Sequence, residues 1–342
     1  MLQVSSQEDT TTLLRPTLLE RFISRSKQFF GPGASEDNNL VLPEYTAVEI
    51  HDCVTDKIYV DESEIPKEEA ITFETWTRPR PLPTSSEVRA QSMEKEHVLS
   101  KARGVTVVRF PSLNLVAKFG TQGTAEGQML WFLRRKTTVP VPEVYGWYRE
   151  GYETFIFMEY IDGVTLDDVW DDLQHATKES IAKQLVPILA SLRQVRLHEA
   201  YVGGICHRLL LDQLFIMRST NKGPLPSIES FNDYFMDVGD GLPGYPHAYV
   251  DFRNALPNRT DIVLTHSDLH PGNIMVTPDG SKVLAIIDWG NAGWYPAFWE
   301  YAKSRMMCQA LVGWADFIAI CLTPFEEVWE VLSFYESCGI LI

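Results

Sequence analysis

The stretch IVLTHSDLHPGNIMV, residues 262–276, sets His266, Asp268 and Asn273 among Pro and Gly between two apolar runs. Polar groups beside buried strands cost free energy unless they are bonded, so such a cluster builds either a tight turn or a site. A second carboxylate, Asp288, ends the apolar run VLAIID further on. A hairpin of two strands would bring Asn273 and Asp288 to one end of a lobe. An Asp free of metal, next to an Asn and an Asp together, is the set that phosphoryl transfer needs. The free carboxylate orients a hydroxyl and accepts its proton. The Asn and Asp oxygens are hard ligands for Mg²⁺, which keeps its other positions for water and phosphates. Taken singly, an Asp or Asn in a turn caps its own backbone. The H-x-D-x-x-x-x-N spacing followed by a strand-end Asp is far more specific.

The chain around these residues is long enough for two lobes, at 342 residues, and its 45% hydrophobic content supplies a sizeable core. A net charge of −16 repels nucleic acid and anionic membrane surfaces. It suits a cationic small-molecule acceptor and equally suits plain solubility. The five cysteines form no C-x-x-C, so neither a zinc site nor a disulfide framework is indicated. The N-terminus lacks a signal-peptide core, and the apolar runs are shorter than a membrane span. These features read as a soluble, cytoplasmic protein.

The elements that must position the cluster follow from periodicity. Residues 104–160 read strand, strand, helix, strand, strand. VTVVRF and NLVAKFG form a hairpin, TAEGQMLWFLRRK forms a helix, and the last strands run at about Val144–Arg149 and Thr154–Glu159. Ser85 or Ser86 is expected to cap a helix reaching about Leu99. Beyond Gly163 the chain turns helical: TLDDVWDDL is capped by Thr165 or Asp162, and a long helix contains Pro187. SKVLAIIDWGN pairs with the strand of the opening stretch through the turn TPDG. In the N-terminal part, Leu14, Leu18, Leu19, Phe22 and Ile23 share one helical face. The organisation expected is α+β and two-lobed. An extension over 1–85 packs on the lobes, a β-rich lobe covers 86–162, and a helical lobe covers 163–342.

HSDLHPGNI together with AIIDWGNAGWYP resembles the signature of the aminoglycoside phosphotransferase family, within the protein-kinase-like fold, and is closest to its fungal members. The resemblance runs from about residue 100 to 335. It implies a kinase using ATP and Mg²⁺, with Asp268 as catalytic base, Asn273 and Asp288 as metal ligands, and His266 bracing the loop. It also implies that Lys118, on the strand LVAKFG, reaches the α- and β-phosphates and that Glu126 holds it by an ion pair. A strand lysine and a helix glutamate are also often just solvated. FIFMEYIDG becomes the hinge, where backbone groups at Glu159 and Ile161 would bond adenine. Phe157 and Met158 are as much core as pocket.

Two departures stand out. No G-x-G-x-x-G precedes Lys118, and DWG places Gly290 where the family often has an acid. The aromatics Trp294, Tyr295, Phe298 and Trp299 read as core before they read as a substrate cleft. The acceptor expected is a hydroxyl of a small molecule. A protein kinase is disfavoured because no A-P-E follows DWG. A non-catalytic kinase-like binding module is disfavoured because it needs no base.

Overall fold

A computed structural model describes residues 57–216, 221–239, 252–308 and 311–337. The amphipathic stretch around Leu14–Ile23 lies outside the described residues.

Alternation builds the first lobe. The short strands β1 (Ile58–Val60) and β2 (Ala70–Thr72) precede helix α1 (Ser85–Gln91). Then come β3 (Val98–Ala102), β4 (Val105–Phe110) and β5 (Leu115–Gly120), helix α2 (Ala125–Lys136), and β6 (Val144–Glu150) with β7 (Glu153–Glu159). Six of these strands make one antiparallel sheet in the order β2-β6-β7-β5-β4-β3. Central β5 is buried at every position, so it reads as an apolar run broken only by Lys118. Side chains of a strand alternate between faces. Leu115, Ala117 and Phe119 join the core under α1, while Val116 and Lys118 face the other way.

Helix α2 crosses the sheet close to β6 because residue 127 is glycine. A Cβ there would meet the Trp147 ring carbon Cε3 at 2.8 Å, and Trp147 is fully buried. Gly127→Ala should therefore destabilise by about 1–3 kcal/mol, the usual range for overpacking, although alanine favours helix. A urea midpoint at or above the parent's would contradict this contact.

The helical lobe follows the hinge. It contains β8 (Val164–Thr165), α3 (Leu166–Val169), α4 (His175–Leu192), β9 (Val195–Leu197), β10 (Gly203–Gly204), α5 (Gln213–Ile216) and α6 (Ile228–Gly239). It continues with β11 (Ile262–Thr265), β12 (Ile274–Val276), β13 (Val283–Ile286), β14 (Gly293–Pro296), α7 (Trp299–Met307), α8 (Trp314–Cys321) and α9 (Glu326–Ser337). Helix α4 continues through Pro187. Trp294, Tyr295, Phe298 and Trp299 are core, each 0–1% exposed. Among the described residues no helix is long and apolar enough to cross a membrane.

Two local expectations change. The cap of α1 is Thr84, not Ser85 or Ser86: its hydroxyl accepts the Glu87 N–H while the Glu87 carboxylate accepts the Thr84 N–H. This reciprocal pair satisfies two otherwise orphaned donors. The helix ends at Gln91, and the residues up to Leu99 turn into the edge strand β3. Residues 57–72 touch both lobes, since β1 runs parallel to β9 and β2 extends the sheet on β6. Glu62 fastens this segment by accepting the Tyr201 hydroxyl and the Cys206 N–H, each at 2.7 Å.

Candidate active site

The two apolar runs around the His-Asp-Asn cluster belong to different sheets. β11 pairs with β14, while β12 pairs with β13 and β8. Residues 266–273 bridge them, and the N–H groups of 266–268, 272 and 273 are all bonded. The carboxylate of Glu300, on α7, accepts the His266 N–H at 2.6 Å and the Ser267 N–H at 3.0 Å. Burial pushes the Glu300 carboxyl up, against the pull of His266 and these amides. The Asp268 N–H donates to His266 Nδ1 at 3.2 Å, which leaves the ring proton on Nε2, bonded to the Ile287 carbonyl at 2.9 Å. His266 thus braces the loop. Asn273 Nδ2 donates to the Asp268 carbonyl at 2.8 Å, which leaves its Oδ1 to accept elsewhere. No side chain among the described residues bonds the half-buried Asp268 carboxylate.

The β12–β13 hairpin carries Asn273 at its start and Asp288 just past its end. The Ile287 N–H donates to the Asn273 carbonyl at 3.0 Å and ties the two together. Asp288 is left-handed, at φ 61°, a conformation that Asp tolerates better than most residues. Its Oδ1 lies 2.7 Å from Lys118 Nζ, and Glu126 Oε2 lies 2.7 Å from the same ammonium. Lys118 therefore pairs with two carboxylates, and the one from Asp288 comes from the other lobe. Burial opposes the charge on Lys118, but the two carboxylates outweigh it and raise its pKa. Burial pushes Glu126 up, and Asp288 adds to that push against the pull of Lys118. Asp288 moves down because Lys118 overcomes its burial. With all three ionised, one cation faces two anions, so the cluster carries one surplus negative charge.

A cavity of about 500 Å³ lies between the lobes. Lys118, Glu126, Asn273 and Asp288 line one part of it, and Glu159, Tyr160 and Ile161 line the hinge part. Val107, Val116, Met158 and Met275 supply apolar walls, so Met158 is both core and pocket wall, while Phe157 is core alone. The Glu159 N–H donates to the Glu143 carbonyl at 2.8 Å. Among the described residues the Ile161 N–H has no backbone acceptor. Asp268 is not part of the cavity lining. Gly290 leaves room beside the cluster: a Cβ would sit 3.5 Å from Asp288 Oδ1 and 3.7 Å from Glu126 Oε2, both ordinary contacts.

Sequence reasoning passed over Glu300 and Asp212. The signal for Glu300 was a single carboxylate inside the aromatic run FWEY, where only a bonded charge is tolerated.

Residues 97–317 match the family model described as the phosphotransferase enzyme family. The chain belongs to that family. Its fold is two-lobed α+β, an antiparallel sheet lobe followed by a helical lobe. Solved structures similar to this chain include an aminoglycoside phosphotransferase from Streptomyces rimosus, 17% identical, covering 72% of this chain and 96% of its own, at a TM-score of 0.42. A putative aminoglycoside phosphotransferase from Ralstonia eutropha is 15% identical and covers 72% and 79%, at 0.43. A type VIII aminoglycoside-3'-phosphotransferase is 17% identical and covers 74% and 89%, at 0.41. No curated protein matches the sequence.

Proposed function

We propose that this phosphotransferase is an ATP-dependent small-molecule kinase that moves the γ-phosphoryl group to a hydroxyl. The observation that carries the reading is the division of labour among the carboxylates. Asp288 and Asn273 line the interlobe cavity with Lys118, while Asp268 stands outside it with its carboxylate unbonded among the described residues.

The donor set fits Mg²⁺. Asn273 turns its amide nitrogen to the Asp268 carbonyl and keeps Oδ1, Asp288 keeps Oδ2, and both are hard oxygens beside a surplus negative charge. When bound there, Mg²⁺ would neutralise charge on the phosphate oxygens. Lys118 holds the α- and β-phosphates, and Glu126 keeps its ammonium in place. The Glu159 carbonyl and the Ile161 N–H bond the adenine edge. Asp268 orients the acceptor hydroxyl and takes its proton as the oxygen forms its bond to the γ-phosphorus and the bond to the leaving phosphate oxygen breaks. Positioning of this kind carries most of the catalysis in phosphoryl transfer.

The chain as a whole adds to this reading. A charge of −16 disfavours nucleic acid and anionic membranes as partners and suits a cationic acceptor in the cytoplasm. Residues 57–85 belong with both lobes rather than to a separate unit. Residues 289–298 run from Asp288 directly through β14 into α7, which leaves no room for a long activation segment and disfavours a protein substrate.

The test is an ATP-consumption screen with Mg²⁺ against a library of hydroxyl compounds. Turnover with a small molecule and none with protein substrates is the expected result. Nucleotide binding without consumption under any condition would replace the kinase with a binding module.

A further inference from the structure

Ser267, the residue before Asp268, has φ +69° and is fully buried. L-residues other than glycine avoid that left-handed region, and a position that keeps one there is held by its surroundings. Its Oγ donates to Asp212 Oδ2 at 2.6 Å. Asp212, itself fully buried, is held in turn from three elements. Its Oδ1 accepts the Leu214 N–H at 2.8 Å and Lys303 Nζ at 3.1 Å. Its Oδ2 also accepts Trp299 Nε1 at 2.9 Å, and its own N–H donates to the Tyr295 hydroxyl at 3.0 Å.

A buried ion pair such as Asp212–Lys303 is a poor way to stabilise a core, because both charges lose their hydration. Neither residue lines the interlobe cavity, so neither is explained by nucleotide binding. What the pair does reach is the backbone that aims Asp268. A turn of Ser267 out of the left-handed region would rotate the next peptide. It would then break the bonds of Asp268 to His266 and to Asn273.

We propose that Asp212 is a positioning residue: its carboxylate, fixed by Lys303 and Trp299, holds Ser267 left-handed and so aims the Asp268 carboxylate at the acceptor. The consequence for turnover rests on Asp268 being the base.

The test compares Ser267→Ala with Ser267→Gly. In an ordinary buried position glycine is worse than alanine. Here alanine loses the anchoring hydroxyl and keeps the strain, while glycine needs no anchor. Ser267→Ala should lower kcat by about 10- to 100-fold with the KM for ATP within about twofold, and Ser267→Gly should stay within about threefold of the parent. Asp212→Asn, made together with Lys303→Met so that no buried charge is left alone, should lower kcat similarly, and adding Ser267→Gly should restore most of the loss. Alanine equal to or better than glycine would overturn the proposal, as would failure of that rescue. Urea midpoints of the two single variants give the same order without any acceptor. Glycine above alanine in stability, with Asp268→Asn at full turnover, would retain the anchor and discard the base. Alanine above glycine would discard the anchor whatever Asp268 does.

Discussion

Asp268→Asn is expected to lower kcat by at least about 10²-fold, the lower end of what a positioned general base contributes. The substitution keeps the shape and the backbone bonds to His266 and Asn273, and removes only the proton acceptor. Nucleotide affinity should change little, because Asp268 does not line the cavity that Lys118, Asn273 and Asp288 share. The split between the two quantities is the diagnostic feature. A group used only in the transition state alters kcat, whereas one used for ground-state binding alters affinity as well. Turnover with an identified acceptor and the dissociation constant for ATP, measured on the same preparation, give both. Near-parental turnover would remove Asp268 from the role of base.

Lys118→Met should act on both fold and function. From the sequence, a cleft lysine contributes little packing beyond its aliphatic stem, and its removal is expected to leave folding intact. The structure changes that expectation. Lys118 is buried and stands between two carboxylates, and Glu126 is only 2% exposed. Removing one partner of a buried pair typically costs about 3–5 kcal/mol, and the half-exposed Asp288 side chain places this case at the low end, about 3 kcal/mol. Turnover should fall at least about 10²-fold, the usual effect of losing a donor to developing charge. The double variant Lys118→Met with Glu126→Gln should regain most of the stability and none of the turnover. A double variant as unstable as the single one would place the loss elsewhere than in the stranded carboxylate. The pH dependence has a defined sign. Burial already raises the Glu126 carboxyl above its unfolded value, and loss of Lys118 raises it further. A raised carboxyl contributes stability below its unfolded pKa and loses it as pH rises through the folded one. The deficit of Lys118→Met against the parent should therefore be smaller at pH 5 than at pH 8 in urea titrations.

The parts of this protein that were readable in one dimension are those set by near neighbours. Alternation marked β4, apolar runs marked β5 and β7, and helix α2 was unbroken from Ala125 to Lys136. Asp268 and Asn273 sit close enough in the chain for their spacing to carry meaning. The cap at Thr84 was missed because Thr84, Ser85 and Ser86 all suit it, and only the position of Glu87 decides among them. Strand β3 was missed because edge residues are exposed and lack the buried alternation that reveals a strand. The sequence by itself determined the two-lobed architecture and the identity of the chemical groups, since residue type and local periodicity act over a few positions. Tertiary structure alone decided which charges meet. Asp288 reaches Lys118, Glu300 holds the His266 and Ser267 amides, and Asp212 holds the Ser267 hydroxyl, all across large separations in the chain. Such partners leave no periodic trace, because a buried carboxylate is selected by the donors that surround it in space and not by the residues beside it in the chain.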